Sequence, residues 1–149
     1  MGVEPARLQF IKQLEYRRYL DVFSEIDIAL DPFPYNGGAT TWESLWMGVP
    51  VVALAGNGGF SRTSASLLTA AGCSDWIAGT ADDYVRIATN LARDKDRLVA
   101  IRTDLRAKLL RSPLCDSVRF TRNLEQAFNT AWCASGISSI DLQQSGASC

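Results

Sequence analysis

The sequence contains no histidine among its 149 residues. Ser-His-Asp and Cys-His catalysis both use an imidazole as the general base, so neither can be built from this chain alone. The four cysteines are Cys73, Cys115, Cys133 and Cys149, and no two of them form a C-x-x-C pair. Without histidine or paired cysteines, we expect no metal site and no disulfide framework, and we interpret the thiols as reduced.

Long apolar runs and net charge are also missing. No stretch approaches the ~20 consecutive apolar residues of a membrane helix, and the first residues lack the pattern of a signal peptide. The 15 basic and 16 acidic residues leave a formal charge of −1. Such a balance provides no general attraction to nucleic acid or to anionic lipid. We therefore expect a cytoplasmic protein that binds neither nucleic acid nor a membrane.

The sequence does contain enough apolar material for a core, because 47% of its residues are hydrophobic. Strand-like segments occur at 8–11, 26–30, 51–54 and 75–78. Helical patterns occur at 16–23, 41–47, 61–71, 80–93, 94–111 and 117–132. This alternation predicts an α/β fold, with a Rossmann-like parallel sheet and flanking helices.

The predicted domain covers residues 1–133, and a disordered tail rich in Ser, Gly and Gln is expected at 134–149. The best-defined unit within the domain is the strand, helix and strand between residues 26 and 54. A parallel sheet of three or four strands leaves an edge uncovered. We therefore expect further strands on an upstream segment or on another chain.

One segment, 31–50, follows a predicted strand, passes Gly37-Gly38 and opens a helix. Unpaired N–H groups and a partial positive charge at a helix start suit a phosphate group. Thr40 followed three residues later by Glu43 also matches a capping box, in which both side chains bond to the backbone of the first turn. From spacing alone, a turn with a capping box is the simpler interpretation.

Arg62 stands at another predicted helix start, after a glycine-rich loop on the same edge of the sheet. Because loops at the carboxyl ends of parallel strands lie side by side, this arginine could meet the same phosphate. A solvated or ion-paired arginine explains the position equally well.

The residues of 27–52 resemble the C-terminal catalytic lobe of the O-linked N-acetylglucosamine transferase family, including its bacterial and SPINDLY-like members. Ser61-Arg62, the segments 64–68 and 71–73, and finally 112–114 continue the same pattern in the same order. The resemblance covers roughly residues 7 to 132. It implies a partial C-terminal lobe of a GT-B glycosyltransferase, the lobe that binds the nucleotide sugar.

The resemblance further implies transfer of N-acetylglucosamine from UDP-GlcNAc to Ser or Thr, without a metal or another cofactor. It places the nucleotide diphosphate at Gly38, Ala39 and Thr40, and the ribose at Glu43. The full set of candidate nucleotide-sugar-binding residues is Gly37, Gly38, Ala39, Thr40, Thr41, Glu43 and Arg62.

The chain departs from the family pattern in two places. Animal members have a histidine before two threonines where this chain has Gly38-Ala39, and the family's first lobe and a diphosphate-binding lysine have no counterpart here. The catalytic residues are therefore expected upstream, and the expected partners are an acceptor protein, an N-terminal lobe and tetratricopeptide repeats. Two alternatives stay open: fucose transfer from GDP-fucose, and a truncated, non-catalytic module that binds a nucleotide or a partner chain.

Overall fold

The computed structural model describes residues 2–135. Three short strands, β1 (Ala29–Leu30), β2 (Val51–Leu54) and β3 (Ile77–Ala78), form a parallel sheet in the order β1-β2-β3. Ala29 pairs with Val51 across the first ladder, and Ala53 pairs with Ile77 across the second. The predicted α/β fold with a parallel sheet is confirmed.

Within residues 2–135, six α-helices surround this sheet or extend from it. They are α1 (Tyr16–Val22), α2 (Ala39–Trp46), α3 (Thr63–Ala70), α4 (Ala81–Arg93), α5 (Lys95–Leu110) and α6 (Ser117–Ser135). α2 is followed by Gly48 at φ +81° and α3 by Gly72 at φ +69°, a left-handed conformation that favours glycine. The side chains of Thr80 and Asp94 cap α4 and α5 by accepting backbone N–H groups.

The core lies between the central strand and the helices on both of its faces. Val51, Val52 and Ala53 of β2 are at most 2% exposed, as expected for a parallel strand that is covered on both sides. Leu45 of α2 and Leu68 of α3 are fully buried against it. The strand, helix and strand that were predicted between residues 26 and 54 are therefore present, with β1 shorter than expected.

The strand predicted at 8–11 is wrong. These residues form no strand and pair with none among residues 2–135, and Phe10 is 89% exposed. A β-favouring composition produces a strand only where a sheet edge accepts its backbone hydrogen bonds. Here the three-stranded sheet does not reach this segment.

The capping box predicted for Thr40 and Glu43 is also wrong. Gly38 is the N-cap of α2, and no side chain makes a capping hydrogen bond there. The carboxylate of Glu43 is instead bonded to two tyrosine hydroxyls of α1. A tertiary contact has replaced the local one that the spacing suggested.

The last helix continues beyond the predicted end at residue 132 and includes residues 134 and 135. The rest of the predicted tail, 136–149, lies outside the described residues. Within 2–135, no helix combines the length and the hydropathy needed to cross a bilayer.

Candidate functional site

The loop between β1 and α2 lies at the carboxyl end of the sheet, where open α/β sheets bind ligands. Gly38 begins α2, and its carbonyl accepts from the backbone N–H of Trp42 at 3.0 Å. Because no side chain caps this end, the first N–H groups of the helix have no side-chain acceptor. The loop therefore offers backbone donors and the positive end of a helix dipole in one place.

Buried polar groups hold this loop in position. The Oδ1 atom of Asp31, a residue 4% exposed, accepts from the backbone N–H of Gly37 at 2.8 Å. The hydroxyls of Thr41 and Ser64 lie 2.8 Å apart, and Ser64 donates to the Gly37 carbonyl at 2.9 Å. Tyr84 of α4 donates to the Asp31 carbonyl at 2.9 Å. Three helices, α2, α3 and α4, thus fix the backbone of a single loop.

The two adjacent glycines differ in how much space is available for a side chain. A Cβ on Gly37 would lie 2.6 Å from Thr40 Oγ1, 2.7 Å from Thr41 Oγ1 and 2.9 Å from Asp31 Oδ1. A Cβ on Gly38 would meet only Thr63 Cγ2, at an ordinary 3.7 Å. Gly37 is therefore required by packing, whereas Gly38 has room for a side chain.

Glu43 lies in the second turn of α2 and is half-buried. Its Oε2 accepts from the Tyr19 hydroxyl at 3.0 Å, and its Oε1 accepts from the Tyr16 hydroxyl at 3.2 Å. Burial and then the hydrogen bond to Glu43 raise the pKa of Tyr19 to about 12. Both hydroxyls consequently remain protonated donors at neutral pH.

Sequence reasoning missed these two tyrosines as part of the site. It predicted a helix over 16–23 but assigned no role to Tyr16 and Tyr19, whose spacing of one turn puts them on one side of that helix. The available signal was that tyrosine joins an apolar ring to a polar hydroxyl, which needs a partner when it is covered. Only the packing of α1 beside α2 identifies Glu43 as that partner.

Arg62 directly precedes α3, after the short 3-10 turn Gly59–Ser61. Its exposed guanidinium donates to the Gly56 carbonyl at 3.1 Å. The next residue, Thr63, is the nearest neighbour of the space beside Gly38. The structure therefore brings the glycine loop and the segment that carries Arg62 together, as the sheet topology predicted.

The two charged candidate residues of the site make no salt bridge within residues 2–135. The single salt bridge within residues 2–135 joins Arg86 to Asp83 on the surface of α4, so neither Glu43 nor Arg62 is ion-paired there. No cluster of three or more cysteine and acidic side chains in the same range is arranged to hold a metal ion.

The fold is that of a glycosyltransferase family. Residues 2–124 match the model of glycosyl transferase family 41, and the chain belongs to that family. The resemblance identified from 27–52 and its followers is thereby confirmed.

Several curated relatives carry the same name. The chain is 40% identical over 133 residues to a protein of Hordeum vulgare named "Probable UDP-N-acetylglucosamine--peptide N-acetylglucosaminyltransferase SPINDLY". It is 31% identical over 132 residues to the SEC protein of Arabidopsis thaliana, which is named as a probable enzyme of the same activity. The match covers 89% of this chain but 14% of the Hordeum protein's length. The chain thus spans about one seventh of such relatives.

A solved structure agrees with these matches. A mutant of the Thermobaculum terrenum O-GlcNAc transferase superposes with a TM-score of 0.79 at 38% sequence identity. The superposition covers 85% of this chain and 24% of the other. The chain therefore has the fold of one part of a GT-B glycosyltransferase.

Proposed function

We propose that this chain is the nucleotide-sugar-binding part of a protein O-glycosyltransferase that transfers N-acetylglucosamine from UDP-GlcNAc to Ser or Thr. The observation that carries the proposal is the β1–α2 junction, in which an uncapped helix start is followed one turn later by Glu43. Membership of family 41 and the names of the relatives support the choice of sugar nucleotide.

In this proposal the diphosphate lies against the backbone of Gly37, Gly38 and Ala39 and near Thr40 and Thr41. Backbone N–H groups at a helix start favour an anion, and they need no metal to do so. The exposed guanidinium of Arg62 can turn toward the same group, since one bond to a carbonyl leaves most of its N–H donors available. No cofactor other than the nucleotide sugar is invoked.

Glu43 would bind the ribose. A carboxylate is an acceptor with about four lone-pair sites, and the 2′ and 3′ hydroxyls of ribose are two adjacent donors. Glu43 lies one turn further into the helix than the proposed diphosphate contacts, about 5 Å along the axis. That separation fits the order of phosphate and ribose along a nucleotide.

The transfer step forms a bond between the Ser or Thr oxygen and the anomeric carbon of the sugar. The bond from that carbon to the diphosphate breaks, UDP leaves with the electron pair, and the hydroxyl proton passes to a base. This chain has no histidine to serve as that base. Its contribution would be to stabilise the negative charge that develops on the departing UDP.

The remaining partners are part of the same proposal. The catalytic base would lie outside this chain, in an N-terminal lobe that closes the active site, and tetratricopeptide repeats would present the acceptor protein. The relatives have ample length for both, because this chain matches only 14% of the Hordeum protein. We propose a cytoplasmic location, where such acceptors occur.

Calorimetric titration of the chain with UDP tests the proposal. Glu43→Ala should weaken UDP binding by about tenfold or more, because bonds to a charged acceptor contribute about 1.5–3 kcal/mol. Glu125→Ala is a matched control, since that side chain is exposed on α6, a helix that supplies no residue to the proposed site. Absence of UDP binding by the folded chain, or equal affinity of the Glu43 variant, would overturn the assignment.

A second measurement tests the sugar. The enzyme assembled with its first lobe is incubated with a Ser/Thr peptide and with UDP-GlcNAc or GDP-fucose in parallel, and the product masses are read. Addition of N-acetylglucosamine from UDP-GlcNAc alone is the expected result. Fucosylation from GDP-fucose would contradict the proposed donor, and no product from either would favour a non-catalytic binding module.

A further inference from the structure

The carboxylate assigned to the ribose already has a hydrogen-bond donor on each oxygen. Tyr19 contacts Oε2 and Tyr16 contacts Oε1, and both tyrosines come from α1, a helix 24 and 27 residues earlier in the chain. Two separate side chains from one helix therefore converge on a single acidic group. This arrangement needs an explanation beyond packing, because Tyr16 is 61% exposed.

The tyrosines are held by the rest of the fold. The ring of Tyr19 stands edge-on to that of Phe23, with 5.3 Å between the ring centroids, and Phe23 is only 6% exposed. Arg102 of α5 donates to the carbonyl of Phe23 at 3.2 Å and also to that of Ile26. The end of α1 is thereby tied to α5, so the Tyr19 hydroxyl meets Glu43 from a fixed direction.

The hydrogen bonds leave acceptor capacity on both oxygens. Each carboxylate oxygen has about two lone-pair sites, and one tyrosine on each oxygen leaves about one site on each. No salt bridge to Glu43 exists within residues 2–135, so neutral hydroxyls orient the carboxylate there. A carboxylate held in one rotamer loses less conformational entropy when two ligand hydroxyls bind to it.

We propose that Tyr16 and Tyr19 are positioning residues that orient the Glu43 carboxylate for the 2′ and 3′ hydroxyls of the nucleotide ribose. This inference rests on the proposed function, because it presumes that the ligand is a ribonucleotide. The tyrosines would sharpen the preference for a ribonucleotide over one that lacks these hydroxyls. Tyr19 should contribute more than Tyr16, because it is more buried and its hydrogen bond is shorter.

A competing arrangement predicts the opposite change in ligand affinity. If the tyrosine hydroxyls occupied the places of the ribose hydroxyls, ligand binding would have to displace them, and their removal would strengthen binding. Tyr→Phe variants distinguish the two arrangements by sign, since they delete the hydroxyl and keep the ring.

The experiment compares UDP with 2′,3′-dideoxy-UDP by calorimetry on the 149-residue chain. Tyr19→Phe should weaken UDP binding by about three- to tenfold and leave dideoxy-UDP binding unchanged. Tyr16→Phe should show the same selectivity with a smaller loss. Thermal unfolding followed by circular dichroism verifies that each variant is folded at the titration temperature.

Tyr84→Phe is the matched control. It also deletes one tyrosine hydroxyl that makes a hydrogen bond, but that bond goes to the Asp31 carbonyl in the loop between β1 and α2. Any loss of affinity that it causes should therefore be equal for the two ligands. Equal losses for Tyr19→Phe, or tighter UDP binding, would overturn the positioning role.

Failure of this inference is separable from failure of the proposed function. If Glu43→Ala removes the preference for UDP over dideoxy-UDP while both tyrosine variants keep it, the positioning role is wrong and the ribose assignment stands. If wild-type protein binds neither ligand, or Glu43→Ala keeps the preference, the ribose assignment itself is wrong.

Discussion

The two loops that follow β1 and β2 both open a helix at the same edge of the sheet, but they are held in different ways. The first loop is bonded to Ser64 of α3 and Tyr84 of α4, which are 27 and 53 residues away from their partners. The second loop is held mainly by itself. Its Ser61 hydroxyl donates to the Gly58 carbonyl at 2.9 Å and accepts from the Gly58 N–H at 3.1 Å.

This difference separates a preformed site from an adjustable one. The first loop cannot move without breaking bonds to other elements, so its N–H groups are oriented before a ligand arrives. The second loop carries Arg62, whose guanidinium is exposed and bonded to one carbonyl of the same loop. Two contacts join the loops, since the Asn36 N–H donates to the Phe60 carbonyl at 3.1 Å and the rings of Tyr35 and Phe60 stack with 6.0 Å between their centroids.

The largest expected effect comes from crowding the first loop. Gly37→Ala should lower the free energy of unfolding by about 3 kcal/mol, because the added Cβ overlaps three oxygen atoms of a bonded network. Gly38→Ala is the control, since its Cβ meets one methyl carbon at 3.7 Å and should change stability little. Urea denaturation measures both. Equal destabilisation by the two variants would mean that the loop is not fixed as described.

Removing the buried carboxylate should have the next largest effect. Asp31→Ala leaves the Gly37 N–H without its acceptor, which should lower the free energy of unfolding by about 2 kcal/mol. The Oδ2 atom of Asp31 has no hydrogen-bond partner among the described residues, so its loss recovers part of the cost of burying the carboxylate. Urea denaturation of Asp31→Asn tests whether the hydrogen bond to Gly37 accounts for the loss. The amide oxygen can still accept from the Gly37 N–H, so Asp31→Asn should lower the free energy of unfolding less than Asp31→Ala does.

The second loop should tolerate the corresponding change better. Ser61→Ala deletes a hydroxyl that serves only Gly58, so we expect a loss of about 1 kcal/mol. Urea denaturation beside Asp31→Ala makes the comparison direct. If Ser61→Ala proved as destabilising as Asp31→Ala, the contrast between a tertiary and a local loop would not hold.

The smallest expected effect appears only in alkali. The pKa of Tyr19 is raised from its ordinary 10.0 to about 12, so folding favours the protonated hydroxyl. Its contribution is complete below about pH 10 and is lost as the pH rises through about 12. Stability measured across this range should fall less steeply for Tyr19→Phe than for the wild type. Identical slopes would argue against a half-buried Tyr19 hydroxyl that donates to Glu43.

The spacing of apolar residues and the residues that begin and end helices were sufficient to predict much of the fold. Apolar residues at 51–54, glycines after α2 and α3, and Thr80 before α4 each act through neighbours in sequence, and the structure has these elements where the pattern predicts them. The prediction of a strand at 8–11 was wrong because a strand also needs a neighbouring strand, which lies elsewhere in the sequence. The binding roles of Gly38, Glu43 and Arg62 are still predictions, although the structure brings their segments to one edge.

The sequence by itself determined the family, the α/β order and the position of a glycine loop at a helix start, because each is written in contiguous residues. Only the tertiary structure decided which groups hold that loop and what Glu43 does. Asp31 accepts from the Gly37 N–H six residues later in the sequence. The other contacts come from distant helices, through the side chains of Ser64, Tyr84, Tyr16 and Tyr19. A local capping box and a contact with a distant tyrosine compete for the same carboxylate, and the packing of α1 beside α2 settles that competition.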